Sequence, residues 1–478
     1  MKRDFPLRGA SRRDFIKGVF AASAALGLGP TRALEMLDEI GGSALAAGAI
    51  NANRTVHIVG GDGGFAWFTL VWPVPGTITE LQTNSTVPFD DMSKAGKITS
   101  GALEDRMLYQ RKVSSTGQPL WANYGEKKLV TAMLCGTNTG HETAPKNAGN
   151  SNTIPTGTIG AFAACASIQT TVQSLVPVIG LNRNAVMMPY GNATGAPSPA
   201  GVPDANAMIN LFSSSASKLM TRLADPNNAK LYEEYYKAFL GLVKTVDRAT
   251  YQRAYEDSRV AISLVSQNLG SVLSPAPGQV DAWCGPAVID AKVKEIATNL
   301  IVAANAFKKG LCSQVTFPSF NDDPHFVWSD LTRVSRIADG LALVFQSFMD
   351  YMNTIPDPVD QSKKLSDNLV MTVCGDLAKG PFSNRNSDWA DATPMASNWM
   401  YVMSNGYMKP GWFGQVSRTG KMNYDPDTGK LYTPAMFPDT KVTDGALGAM
   451  LYAVSRGNDR RVRDFTTASY RAMSNVVL

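Results

Sequence analysis

The sequence contains Thr55-Val56-His57-Ile58-Val59 and then Gly60-Gly61-Asp62-Gly63-Gly64, a β-rich run that stops at a glycine-rich loop. Similar β-rich runs follow along the chain at 129–135, 176–180, 312–317, 369–374 and 398–403. Stretches with the apolar spacing of helices lie between them. Strands that alternate with helices are typical of a mainly parallel sheet flanked by helices, so we expect an α/β fold.

Four stretches have the composition or apolar pattern of helices, namely 158–175, 205–269, 285–309 and 329–352. In the last of them, Leu341, Val344 and Phe348 belong to one apolar face. The block that begins at residue 205 breaks the alternation of strands and helices. We therefore predict one α/β domain over residues 47–478 with a helical insertion at about 205–310.

The N-terminal region has the pattern of a targeting peptide. Residues 11–17 are Ser-Arg-Arg-Asp-Phe-Ile-Lys, which resembles the twin-arginine (Tat) export signal at every position except Ile16, where Leu is usual. The apolar stretch 18–28 is too short to cross a bilayer, which takes about 20 residues. The alternative is a solvated basic tail. We predict that residues 1–46 are a signal peptide, with cleavage after Ala44-Leu45-Ala46 or alternatively after Ala47-Gly48-Ala49. The Tat translocase is the predicted partner during export, and the mature chain is predicted to be periplasmic, extracellular or at the cell surface.

Charge and hydropathy restrict the partners of the mature chain. The chain carries a formal charge of +5, and residues 1–46, with seven Lys or Arg against five Asp or Glu, carry +2 of it. The remaining +3 is too small for a chain of this length to indicate nucleic-acid binding. No stretch beyond the signal is long and apolar enough to predict a transmembrane segment.

The five cysteines, Cys135, Cys165, Cys284, Cys312 and Cys374, form no CxxC pair. Their spacing argues against zinc-ribbon, redox and haem-attachment motifs. In an oxidising compartment they allow two disulfides at most. Because each lies in or beside an apolar segment, we favour the interpretation that several of them are small buried core residues.

Polar residues follow four of the predicted strands, where ligands bind in open α/β sheets. They are Asp62 after the first strand, the segment 137–143 with His141, the segment 321–325 with Asp322 and His325, and Asp376 after strand 369–374. Carboxylates together with imidazoles suit Zn²⁺, Mn²⁺, Mg²⁺ or Ca²⁺, so a divalent metal is the predicted cofactor.

Simpler interpretations of the same residues remain open. His141 can be a loop histidine hydrogen-bonded to the backbone. Asp322 and the neighbouring Asp323 can stabilise the positive end of the helix predicted from about residue 329. That second interpretation leaves His325 unexplained, which favours the metal site.

The order of these motifs resembles that of a Tat-exported bacterial family in the alkaline phosphatase and sulfatase superfamily. The counterparts are residues 11–17, 60–73, 320–325, 341–348, 374–379, 387–390 and 407–414. The resemblance implies an alkaline phosphatase-like fold and a metal-assisted hydrolase of phosphate or sulfate esters. The substrate would be a small molecule or a polysaccharide ester.

The resemblance also implies roles for single residues. Asp62, Asp322, His325 and Asp376 would hold the metal. Thr139, or Thr137, would supply the attacking hydroxyl, while Lys379 or His141 would balance charge on the transferred group.

The chain departs from the family pattern where an Asp-His-Gly turn has become Asp388-Trp389-Ala390, which removes a metal-binding histidine. The site can therefore be eroded, and the alternative function is a non-catalytic binding or assembly protein on the same scaffold.

Overall fold

In the computed structural model, the fold is a mixed and mostly parallel β-sheet between two layers of helices. The structure describes residues 52–59, 123–124, 128–135, 160–172, 174, 176–181, 199–210, 269–285, 290–318, 331–358, 360–374, 399–409, 411–416 and 421–475. Buried apolar side chains from these segments form one continuous core.

The described part of the main sheet has nine strands. They are β1 (Arg54–Val59), β2 (Asn123–Tyr124), β3 (Lys128–Leu134), β4 (Val178–Leu181), β5 (Ala200–Val202), β6 (Gln314–Pro318), β7 (Leu369–Cys374), β8 (Trp399–Asn405) and β9 (Gly411–Phe413). Their order is β2-β3-β8-β7-β1-β6-β4-β5, and β9 also pairs with β3. A smaller sheet consists of β10 (Gln415–Val416), β11 (Lys421–Tyr424) and β12 (Leu431–Tyr432).

The strands from β7 through β1, β6 and β4 to β5 run parallel to one another. Strand β8 is antiparallel to both β7 and β3, so β3 runs in the same direction as β1. The predicted α/β class with a mainly parallel sheet is confirmed, and the antiparallel β8 makes the sheet mixed.

The helices are α1 (Ala161–Ile168), α2 (Leu269–Leu273), α3 (Gln279–Cys284), α4 (Ala291–Lys308), α5 (Leu331–Thr354), α6 (Asp439–Val454) and α7 (Asp459–Arg463). Residues 205–210 are also helical. The 3₁₀ turn Gln169–Thr171 follows α1, and a second 3₁₀ turn, Leu365–Asn368, precedes β7. Among the described residues, none of the helices has the length and apolar character needed to cross a bilayer.

Two contacts from β1 show that α1 and α5 lie on opposite faces of the sheet. His57 stacks on Phe162 of α1, and Arg54 pairs with Asp357, which follows α5. Side chains alternate between faces along a strand, so residues 54 and 57 point in opposite directions. Helix α6 packs with α1, and α4 packs with α5, which gives three layers.

The boundary of α4 differs from the predicted helix 285–309. Gly285 lies at φ +80, which favours glycine, and ends α3. Helix α4 then starts after Asp290, whose carboxylate accepts a hydrogen bond from the backbone nitrogen of Lys292 at 2.9 Å. Most of α4 is buried in the main core, although it falls within the range predicted as a helical insertion.

All five cysteines are buried and carry thiols rather than disulfides, which is more than the several core cysteines that the sequence predicts. Burial raises the pKa of the Cys135, Cys165 and Cys312 thiols well above the usual range, and it raises that of Cys284 to about 11. Because the thiolate is the reactive form, these side chains are doubly protected, by burial and by protonation.

We therefore expect the native protein to react slowly with a thiol reagent and the denatured protein to react at all five cysteines. Titration with a chromogenic disulfide under both conditions measures this. A denatured, unreduced protein that reacts at a single thiol would reveal two disulfides and contradict the buried-thiol structure.

Candidate functional site

The strands that precede the predicted site residues end at one edge of the sheet, which we call the carboxyl edge. Their registers link five residues into one row across the sheet: Met133, Met400, Cys374, Val59 and Pro318. Strands β3, β7, β1 and β6 therefore leave the sheet at the same level. In open α/β sheets this is the edge where ligands bind.

The seven predicted site residues follow these four strands in the sequence. Asp62 follows β1, Asp376 and Lys379 follow β7, Asp322 and His325 follow β6, and Thr139 and His141 follow β3. All seven lie outside the described residues, so the structure gives no distances between them. The structure does describe the ends of the four strands, and each of these ends is the point from which the following segment starts.

Three of the four strands are immediate neighbours in the order β7-β1-β6. Neighbouring strands are about 4.8 Å apart, so these three ends fall within about 10 Å. Asp376 and Asp62 stand two and three residues after the last residues of β7 and β1, a reach of at most about 10 Å. The end of β3 is farther away because β8 separates it from β7. Sheet order thus brings together the ends of the strands that precede Asp62, Asp376 and the segment 321–325 in the sequence.

Within the described part of the chain, no group of three or more His, Cys, Asp or Glu side chains could hold a metal ion. The predicted metal ligands all belong to the segments that follow the carboxyl edge in the sequence. Aspartate and histidine in those segments are chemically suitable ligands for a divalent cation.

A further carboxylate, Asp444, lies beside the carboxyl edge. It belongs to α6, which packs against β3, β7 and β8 and ends beside Asn53, where Asn53 donates its backbone N–H to Val454 at 2.7 Å. Helix α6 therefore runs opposite to β1, and its first half lies toward the carboxyl edge. Burial raises the pKa of the half-buried Asp444 carboxyl above its usual value.

Asp444 also acts electrostatically on Cys135, the residue directly after β3. The pKa of the Cys135 thiol is raised first by burial and then by the Cys374 thiol and the Asp444 carboxylate. Sequence analysis missed Asp444 because it belongs to no motif. The available signal was a single carboxylate in the otherwise mostly apolar run 442–454.

Of the three histidines in the chain, His57 is the one outside the predicted site, and it belongs to the core and not to the carboxyl edge. It is fully buried in β1, its ring stacks on Phe162 with centroids 4.0 Å apart, and its Nδ1 lies 2.7 Å from Thr372 Oγ1. Burial lowers the pKa of His57 to about 3. Two histidines, His141 and His325, therefore remain as candidate ligands.

Comparison with known proteins adds no family to these observations. No family model matches the chain, and neither a curated protein nor a solved structure matches it. The resemblance to the alkaline phosphatase and sulfatase superfamily therefore stays a prediction from the motifs.

Proposed function

We propose that the chain is an exported protein of phosphatase-like and sulfatase-like ancestry that binds a divalent metal at the carboxyl edge of its sheet. The observation that carries the proposal is the common row that ends β7, β1 and β6. Each of these strands is followed within a few residues by an aspartate. Carboxylates that approach one another are stabilised by a cation, which supports a metal over an empty acidic cluster.

With a metal present, the chemistry would be hydrolysis of a phosphate or sulfate ester. The Thr139 hydroxyl is a weak nucleophile that needs activation. Lys379 and His141 are the cationic or hydrogen-bonding groups that could balance charge on the transferred group. A bound divalent ion would supply the Lewis acid for this step.

A second candidate is a non-catalytic binding or assembly protein that keeps the metal site. The burial of His57 favours it, since only two histidines remain for a site that has several in the hydrolases of this superfamily. The two candidates differ in turnover and agree on metal binding.

We expect a chelator to lower the melting temperature of the wild-type protein. A ligand bound only by the native state stabilises it by RT ln(1 + [L]/Kd), about 2.7 kcal/mol at 100 times Kd. His325→Ala should remove the response to the chelator, and Asp350→Asn, at an exposed position on α5, should retain it. Equal chelator responses in the wild type and in His325→Ala would contradict a ligand role for this histidine.

The enzyme candidate further requires metal-dependent cleavage of an aryl phosphate or an aryl sulfate, with loss of activity in Thr139→Ala. A chelator response without cleavage would support the non-catalytic candidate. Cleavage that survives both the chelator and Thr139→Ala would contradict the proposed mechanism.

Export is tested separately. Arg12→Lys combined with Arg13→Lys should leave the precursor in the cytoplasm, since the translocase recognises the arginine pair and not its charge. The matched control, Arg3→Lys with Arg8→Lys, makes the same two changes outside residues 11–17 and should be exported. Normal export of the first variant would refute the Tat signal.

A further inference from the structure

The sheet face beneath α1 is unusually polar for the centre of a core. Along β1, Thr55 and His57 point to this face, and their register partners on β6 are Gln314 and Thr316. Gln169, in the 3₁₀ turn after α1, reaches the same face through its contact with Thr55. We call these five residues the polar layer, and all are buried.

Two glutamine amides in the polar layer have fixed orientations. The Nε2 of Gln169 donates to the carbonyl oxygen of Asn53 at 2.7 Å, and the Nε2 of Gln314 donates to that of Phe162 at 3.2 Å. Rotating either amide would place its oxygen against a carbonyl oxygen, which repels it. The Oε1 atoms therefore point away from these bonds.

Four polar atoms of the layer have no hydrogen-bond partner among the described residues. One is Gln169 Oε1, and the other three, on the strands, are His57 Nε2, Gln314 Oε1 and Thr316 Oγ1. Each group lost its hydration on folding, and a buried group without a partner destabilises the folded state. In folded proteins such groups are ordinarily satisfied by an internal water that makes about three hydrogen bonds.

The three atoms on β1 and β6 belong to neighbouring positions. His57 and Thr316 are register partners on adjacent parallel strands, and Gln314 is two residues before Thr316 on the same face. His57 cannot turn to another partner, because Phe162 stacks on its ring and its Nδ1 is held by Thr372.

We propose that the polar layer binds an ordered internal water that bridges His57 Nε2, Gln314 Oε1 and Thr316 Oγ1. The water donates to the amide oxygen, and its remaining donor and acceptors serve the imidazole and the hydroxyl in either histidine tautomer. The layer contains no carboxylate to compensate a buried cation, which favours water over a metal ion.

The test is a high-resolution crystal structure of the wild type together with two variants. We expect a solvent peak within about 3.2 Å of at least two of the three atoms. Thr316→Ser keeps the hydroxyl and should keep the peak. Thr316→Val keeps the shape and removes the hydroxyl, so it should lose or displace the peak and melt about 1–2 °C below the wild type.

The sign of the change in melting temperature distinguishes a Thr316 hydroxyl that binds the water from one that has no partner. If its hydroxyl has no partner, an isosteric methyl group should leave stability unchanged or raise it. A wild-type structure without the peak, a peak with the short distances of a metal ion, or a Thr316→Val protein that melts at or above the wild-type temperature would each overturn the proposal.

Discussion

Replacing Asp357 with Ala should lower the free energy of unfolding by about 3–5 kcal/mol, because the change leaves Arg54 charged and buried without its partner. Arg54 is 1% exposed and Asp357 is fully buried, and their Nη1 and Oδ2 atoms are 2.5 Å apart. Asn368 Nδ2 also donates to Asp357 Oδ2 at 2.9 Å. Removing one carboxylate thus leaves two buried donors without this acceptor. Urea unfolding measures the loss.

The matched control is Glu295→Gln on α4. Its carboxylate lies 3.2 Å from Lys292 Nζ, but both side chains are exposed, at 37% for Lys292 and 47% for Glu295. Pairs of this kind contribute about 0–1 kcal/mol. The double variant Arg54→Met with Asp357→Leu should recover much of the stability, since a buried pair can often be replaced by apolar residues. An Asp357→Ala loss no larger than that of Glu295→Gln would contradict the buried ion pair.

Acidification should destabilise the protein through His57. Its pKa is about 3 in the folded protein and 6.5 for an unperturbed histidine, so below pH 6.5 the unfolded chain binds a proton that the folded protein excludes. The contribution of His57 to the free energy of unfolding is fully present above about pH 6.5 and is lost as the pH falls toward 3. The loss approaches about 1.4 kcal/mol per pH unit and is on the order of 4–5 kcal/mol across the window.

The comparison with His57→Phe isolates this contribution. Phenylalanine keeps an aromatic ring against Phe162 and does not titrate, so between pH 6 and 4 the variant should lose less stability per pH unit than the wild type. His141→Gln, measured without metal, should keep the wild-type slope. Equal slopes for the wild type and His57→Phe would mean that His57 is protonated in the folded protein.

Much of the main sheet can be predicted from local sequence patterns. The run 369–374 coincides with β7, and the run 55–59 is β1 without Arg54. These strands are short apolar runs between turn-forming residues, which is the pattern of buried parallel strands. The β-rich pattern does not include Arg54, because its burial depends on Asp357, a partner 303 residues away in the sequence.

Features set by tertiary contacts could not be predicted in the same way. Helix α6 is not among the predicted helices, and it contains Gly445 and Gly448, which disfavour helix locally. Both are explained by close packing: a Cβ at Gly445 would lie 2.4 Å from Pro426, and one at Gly448 would lie 2.7 Å from Tyr470. The antiparallel direction of β8 depends likewise on its neighbours, since strand direction leaves no local signal.

Part of the candidate site could likewise be predicted from the sequence, and part of it could not. One edge of the sheet contains the ends of β1, β3, β6 and β7, because these strands run in the same direction. The alternation of strands and helices predicted that common direction. The electrostatic influence of Asp444 on Cys135 depends on how α6 crosses the sheet, and the burial of His57 depends on its packing against Phe162. Neither feature has a signature in the sequence.

The most direct test of the central claim is elemental analysis of the purified mature protein after dialysis against buffer that contains a trace of mixed divalent metals. We predict a roughly stoichiometric amount of one divalent metal in the wild type. It should be strongly reduced in Asp376→Asn and unchanged in Asp350→Asn. A wild-type protein without bound metal, or an Asp376→Asn protein that retains it in full, would contradict a metal site at the carboxyl edge that includes Asp376.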